Sequence, residues 1–126
     1  SLEVLERTVH VARLAIEHDQ TTRALRESEE KFRTLAEHFP DPIFVVDPDD
    51  ATVPLRILYA SPAVRRTHGY SPQEVVGQSL LTMLDTPDTA DAAPQRLTRL
   101  FEDGSCTFEA RHRHRDGRII PLEVRA

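Results

Sequence analysis

Apolar positions recur every three or four residues over the first third of the chain, then give way to short apolar runs and strict alternation. Spacing alternately three and four from Val4 marks Val4, Arg7, Val11, Leu14, His18, Thr21, Leu25, Ser28, Phe32, Leu35 and Phe39; a second stripe runs Leu2, Leu5, Val9, Ala12 and Ile16. Residues 2–38 contain neither Gly nor Pro and are rich in Leu, Ala, Glu and Arg. Pattern and propensity together predict one long helix over this stretch. Its first half is apolar over a wide arc and its second half keeps one narrow seam. A helix with that much apolar surface is not stable alone in water. It is expected to pair with its copy in a parallel homodimer through an imperfect heptad seam, with Arg7, His18, Thr21 and Ser28 as polar positions that tune register. The competing account packs the stripe on the chain's own domain, but at about 1.5 Å per residue such a helix overhangs a small domain.

Pro40 and Pro42 end the helical stretch, since each lacks a backbone donor and biases its predecessor away from the helical region. Ile43 to Val46 is apolar on both faces and reads as a central strand; residues 48–54 form a loop, and Ile57 to Tyr59 a second strand. Ser61-Pro62 and Ser71-Pro72 each place a capping hydroxyl before a Pro at a first helical position. Ser71 with Glu74 has the spacing of a capping box, and Gly69 and Gly77 sit where helix ends favour a left-handed residue. Asp85 to Pro94 reads as a loop, and Gln95 to Asp103 as a helix with Leu97, Leu100 and Phe101 on one side, closed by Gly104. No glycine belongs to a phosphate-cradling loop. The last 22 residues read as a hairpin, with Cys106, Phe108, Ala110, His112 and His114 on one face of its first strand. A three-residue loop with Gly117 left-handed, pairing His112 with Leu122 and Ala110 with Val124, keeps one face apolar.

The length of 126 residues fits one domain, and 39% hydrophobic with 29% charged residues is an ordinary globular balance. A net charge of −5 argues against a nucleic-acid footprint. The C-terminal arginines Arg111, Arg113, Arg115, Arg118 and Arg125 are interrupted by Glu109, Asp116 and Glu123, which reads as a solvated sheet face. The single Cys106 excludes an internal disulfide framework and fits a reducing compartment. No apolar run approaches the ~20 residues of a membrane span. A start at Ser-Leu suggests a piece of a longer protein.

Several motifs follow one another in a familiar order. They are Val46-Asp47; Ile57 through Ala63; Gly69-Tyr70-Ser71-Pro72-Gln73-Glu74 through Gly77; Thr86-Pro87-Asp88; and Asp116-Gly117-Arg118 before an apolar strand. From Phe32 onward the chain resembles a PAS sensory domain. The upstream segment Leu25 to Leu35 resembles the signalling helix that feeds such domains in bacterial sensor kinases and cyclic-dinucleotide (GGDEF-type) enzymes. Ala12 to His18 resembles the closing helix of a GAF domain. The resemblance implies an α+β fold: a five-stranded antiparallel sheet, short helices on one face, and a long N-terminal helix. It divides the chain into a signalling and dimerisation helix over 1–38 and a PAS domain over 39–126. Ser61 departs from the family, which usually has Asn there. The family also expects one more central strand after Ala126, so the gap is expected to be filled by a neighbouring chain or the sheet to be imperfect.

The chemistry implied is binding rather than catalysis. No His lies in Gln95 to Asp103, where haem-binding relatives carry their ligand, and no Cys lies near Gly77, where flavin-binding photoreceptors carry theirs. Cys106 reads as a packing residue. His112 and His114 on one strand face form the skeleton of a metal pair, weighed against two satisfied histidines on a hairpin; the first reading gives a metal-responsive module. His112 is also placed to hydrogen-bond a cavity ligand or to change charge near neutral pH. His10 superficially resembles a kinase phosphoacceptor but lacks the acidic residue that should follow. No catalytic triad or paired carboxylates appear. Expected cavity-lining residues, with cofactor unknown, are Phe44, Val46, Tyr59, Leu80, Met83, Leu100, Phe108, Ala110 and His112. The expectation is a cytoplasmic sensor or relay module that homodimerises through its N-terminal helix, binds a small molecule and contacts adjacent signalling domains, without nucleic acid or membrane contact. A ligand-free structural dimeriser is the alternative, and the parent protein would be a histidine kinase or a diguanylate cyclase.

Overall fold

The computed structural model describes residues 7–13 and 22–126. In order along the chain these form β1 (Arg7–Arg13), α1 (Thr22–His38), β2 (Ile43–Asp47), β3 (Arg56–Ala60), α2 (Val64–His68), α3 (Pro72–Val75), α4 (Leu80–Met83), α5 (Pro87–Asp91), α6 (Ala93–Asp103), β4 (Thr107–Arg113) and β5 (Ile119–Arg125). The fold is α+β: one five-stranded sheet in the order β3-β2-β1-β5-β4, with α2 to α6 following β3 and preceding β4. No helix among the described residues is long and apolar enough to cross a membrane.

The central strand is the largest departure from expectation. Residues 7–13 are extended, not helical, and the helix begins at Thr22; Val4, Leu14, His18 and Thr21 of the expected stripe lie outside the described residues. β1 runs parallel to both neighbours, with His10 opposite Ile43 on β2 and Val9 opposite Val124 on β5. The sheet is therefore mixed: β2–β3 and β4–β5 are antiparallel pairs, joined by a parallel centre. The open position expected between the first strand and the last hairpin strand is thus filled by this chain's own N-terminal segment. Local sequence permits it. Thr8, Val9 and Val11 are β-branched, and a period of two puts Val9 and Val11 together on the core side, with Val9 fully buried. An empty slot would leave the facing backbone groups of β2 and β5 unpaired, a cost that outweighs helix propensity.

The core gathers Phe44, Val46, Ile57, Val64, Val75, Leu84, Ile120 and Leu122 between the sheet and the short helices. α3 has the predicted capping box: Ser71 Oγ accepts from the Glu74 N–H and Glu74 Oε1 from the Ser71 N–H. Ser61 does not cap a helix; its Oγ accepts from the Ile43 N–H at 2.8 Å and so ties β2 to the end of β3. The segment read as a loop before Gln95 contains α5, which starts at Pro87, and α6 begins two residues early at Ala93.

The β4–β5 hairpin keeps the predicted face parity but is shifted by two residues. Ala110 pairs with Leu122 and His112 with Ile120, not His112 with Leu122. The three-residue loop is Arg115 to Gly117, closed by the His114 N–H donating to Arg118 O at 2.7 Å, with Gly117 at φ 92°. Docking of the loop explains the choice. The Arg115 N–H donates to His68 O at 2.8 Å, and Arg115 Nη1 pairs with Glu74. Two of the motifs that carried the family resemblance, Gly69 to Gly77 and Asp116-Gly117-Arg118, are thereby brought together near the end of α2.

Candidate functional site

A cavity of about 80 Å³ lies between the sheet and α4 to α6. Its walls are mainly aliphatic, from Val11 of β1, Val46 of β2, Leu80 and Leu81 of α4, Ala93, Leu97 and Leu100 of α6, and Val124 of β5. Phe108 and Cys106 close the side toward β4. Amphipathic spacing sets this arrangement: Leu97 and Leu100 share the α6 face turned to the sheet, while alternation on β2 and β4 turns Val46 and Phe108 to meet them.

Of the nine residues expected to line the cavity, Val46, Leu80, Leu100, Phe108 and His112 do so. Phe44 and Ala110 belong to the adjoining core, and Met83 packs against that core without reaching the cavity. Tyr59 lies on the opposite face of the sheet, where its ring meets Phe32 of α1 edge-on at 5.5 Å. A bulge between Val45 and Val46 shifts the β2–β3 register, so Tyr59 stands beside Val45 and Ile57 takes the place opposite Val46.

The polar end of the cavity contains residues that sequence reasoning missed. Asp85, Thr89 and Arg96 all line it. Asp85 Oδ1 is 2.9 Å from His112 Nε2, and His112 Nδ1 is 3.0 Å from His68 Nε2, all three side chains being buried. The chain of contacts runs from the α4–α5 junction through β4 to the end of α2. Backbone bonds hold it in place: the Thr86 N–H donates to Arg111 O at 3.0 Å and the Arg113 N–H to Leu84 O at 2.7 Å. The junction thereby covers the outer edge of β4.

Burial first, then the neighbouring His112 and His114, lower the His68 pKa to about 3, so its ring is neutral at physiological pH. One orientation gives each contact a donor: His112 Nε2–H to Asp85, and His68 Nε2–H to His112 Nδ1. His68 Nδ1 is buried without a hydrogen-bond partner. The Asp85 bond on Nε2 and the His68 bond on Nδ1 fix the His112 ring in place. No sequence signal joined these groups, because 44 residues separate His68 from His112 and Asp85 sits in a segment that read as loop.

His112 and His114 do not act together. The His114 ring packs against Gly69 and pairs with Asp116 at 3.1 Å, away from Asp85. Among the described residues no group of three or more His, Cys, Asp or Glu is arranged to hold a metal ion. Cys106 is buried beside the cavity.

The PAS fold family matches residues 30–126. A methyl sulfide methyltransferase-associated sensor of Methanosarcina acetivorans is 30% identical over 125 residues, which is 99% of this chain and 12% of that protein's length. The PAS domain of an HTR-like protein from Haloarcula marismortui superposes with a TM-score of 0.62 at 27% identity, over 82% of this chain and 80% of that one. A domain of a sensory box sensor histidine kinase/response regulator from Geobacter sulfurreducens gives 0.61 at 23% identity, over 82% and 85%, and speaks to the fold alone. The sheet with its helical face and the family match over most of the length lead to one conclusion: this chain belongs to the PAS fold family, as a sensory domain of the signal-transduction kind.

Proposed function

We propose that this domain is a cytoplasmic relay module that dimerises through α1 and reports the occupancy of its sheet–helix cavity to adjacent signalling domains of a longer protein. A histidine kinase or a cyclic-dinucleotide enzyme would supply the output. The observation that carries the dimer is the exposure of the α1 seam. Leu35 is 74% exposed, Phe32 40% and Leu25 38%, while Ala36 alone of the residues characterised on this helix is buried. A 17-residue helix with so little packing on its own domain gains stability by covering that seam. Leu25, Phe32 and Leu35, spaced seven and three residues apart, take the a and d positions of a heptad and match a parallel copy of the helix.

The ligand-free reading draws support from the cavity's size, since about 80 Å³ lies well below the ~300 Å³ at which ordinary ligand pockets begin. Any occupant is correspondingly small.

Sedimentation equilibrium tests the dimer. Wild type is expected to dimerise, and Leu35→Glu to shift it to monomer with unchanged thermal stability of the monomeric fold, because Leu35 touches little of its own chain. A wild-type monomer at high micromolar concentration would remove the basis of the relay.

A further inference from the structure

We infer that the cavity takes a small molecule with a short apolar body and a hydrogen-bond-donating head, an aliphatic alcohol or amine, whose head meets the Asp85 carboxylate. This deepens the ligand reading above and rests on it.

The polar end of the cavity is rich in acceptors that are already oriented. Asp85 is 6% exposed and its Oδ1 faces His112 Nε2 at 2.9 Å. A carboxylate offers about four lone-pair sites, so one imidazole donor leaves capacity for a ligand donor. His112 cannot turn to serve the ligand, since its other nitrogen is held by His68 at 3.0 Å. Thr89 Oγ1 is anchored as well, accepting from the Arg111 N–H at 3.0 Å and bonded to Thr86 Oγ1 at 3.1 Å. A carboxylate head on the ligand would place like charges side by side where water is scarce, which disfavours it.

Arg96 is the group that would argue otherwise, and its geometry holds it back. Its guanidinium lies over the Phe108 ring at 4.1 Å and donates to Thr89 O at 3.4 Å and Glu109 O at 3.3 Å. Two carbonyls and an aromatic face hold it at the half-exposed rim, where it braces the wall and solvent screens its charge.

The test is a nuclear magnetic resonance titration of the full chain with n-butanol, n-butylammonium and butyrate, and with xenon as a probe without a head. Shifts of the His112 ring and the Leu97 and Leu100 methyls report on the cavity. Expected are xenon binding and saturable binding of the alcohol and the amine, with butyrate at least tenfold weaker. In Asp85→Asn, which keeps the shape, the tenfold preference is expected to collapse. Butyrate binding as tightly as the alcohol in wild type overturns the inference, and loss of that binding in Arg96→Gln would assign the head to Arg96. In that case xenon binding still supports the ligand reading. Failure of xenon and every probe overturns both. The wild-type ranking decides without the variant, should Asp85→Asn not fold.

Discussion

His68 makes the stability of this fold depend on pH. The unfolded chain takes up a proton on this imidazole near pH 6.5, whereas the folded chain resists it down to about 3 because the ring is buried against Phe44 and His112. Above pH 6.5 the two states bind equally many protons at this position and the effect vanishes; below it the unfolded state binds more, so stability falls as pH falls. Between pH 7 and pH 5 the loss is about 2 kcal/mol, at about 1.36 kcal/mol per unit. Urea melts at pH 7, 6 and 5 are expected to show this decline and His68→Gln to flatten it, an unchanged slope in the variant contradicting the assignment. The carboxylates Asp50, Glu74, Asp88 and Asp116, whose pKa values are lowered first by hydrogen bonds, lose their contribution below about pH 4, outside this window. His112 was legible from strand alternation as an inward-facing residue. His68 and Asp85 were not, because each reads as a polar residue at a helix end or in a loop, and only the fold brings them together.

At the scale of elements, β1 shows where local pattern loses to a vacancy in the sheet. The helical reading of residues 2–38 rested on spacing and on the lack of Gly and Pro, and it correctly marked the helix from Thr22 to His38. In Arg7 to Arg13 the same residues also alternate, and a slot flanked by β2 and β5 decides between the two periods. The family resemblance marked the slot but not its occupant, because the walls of the slot are strands more than 30 residues from the segment that fills it. Hydrogen exchange distinguishes the outcomes. Amides from Val9 to Ala12 are expected to be protected as strongly as those of Val45 and Leu122, and Val9→Asp to cost roughly 3–5 kcal/mol by burying a charge in the core. Exchange as fast as in exposed α1 would mean that the slot is not held by this segment. The hairpin teaches the same lesson on a smaller scale. Alternation settled which residues face inward, since an odd slip would invert every side chain. The remaining two-residue choice was made by contacts of the loop with His68, Gly69 and Glu74, and Gly69 has φ 79° with no room for a Cβ beside the His114 ring.

For the molecule as a whole, the sheet is a single layer with the cavity on one face and α1 on the other. Val46 lines the cavity, while its neighbour Val45 pairs with Tyr59, whose ring meets Phe32 on α1, the helix proposed to dimerise. In the proposed relay, filling the cavity would press on β2, and a displacement of β2 would reach α1 through that ring contact. Such a link is thermodynamic and works in both directions: if an occupant strengthens dimerisation by some factor, dimerisation strengthens binding of the occupant by the same factor. The affinity for n-butanol is therefore expected to differ between chain concentrations well below and well above the dimer dissociation constant. The ratio should equal the change that saturating n-butanol makes in that constant. In Tyr59→Ala both factors should fall toward one, with ligand affinity in the monomer unchanged because Tyr59 does not line the cavity. Equal affinities in monomer and dimer of the wild type would show that the cavity and the helix do not communicate, leaving a dimeriser whose cavity carries no message.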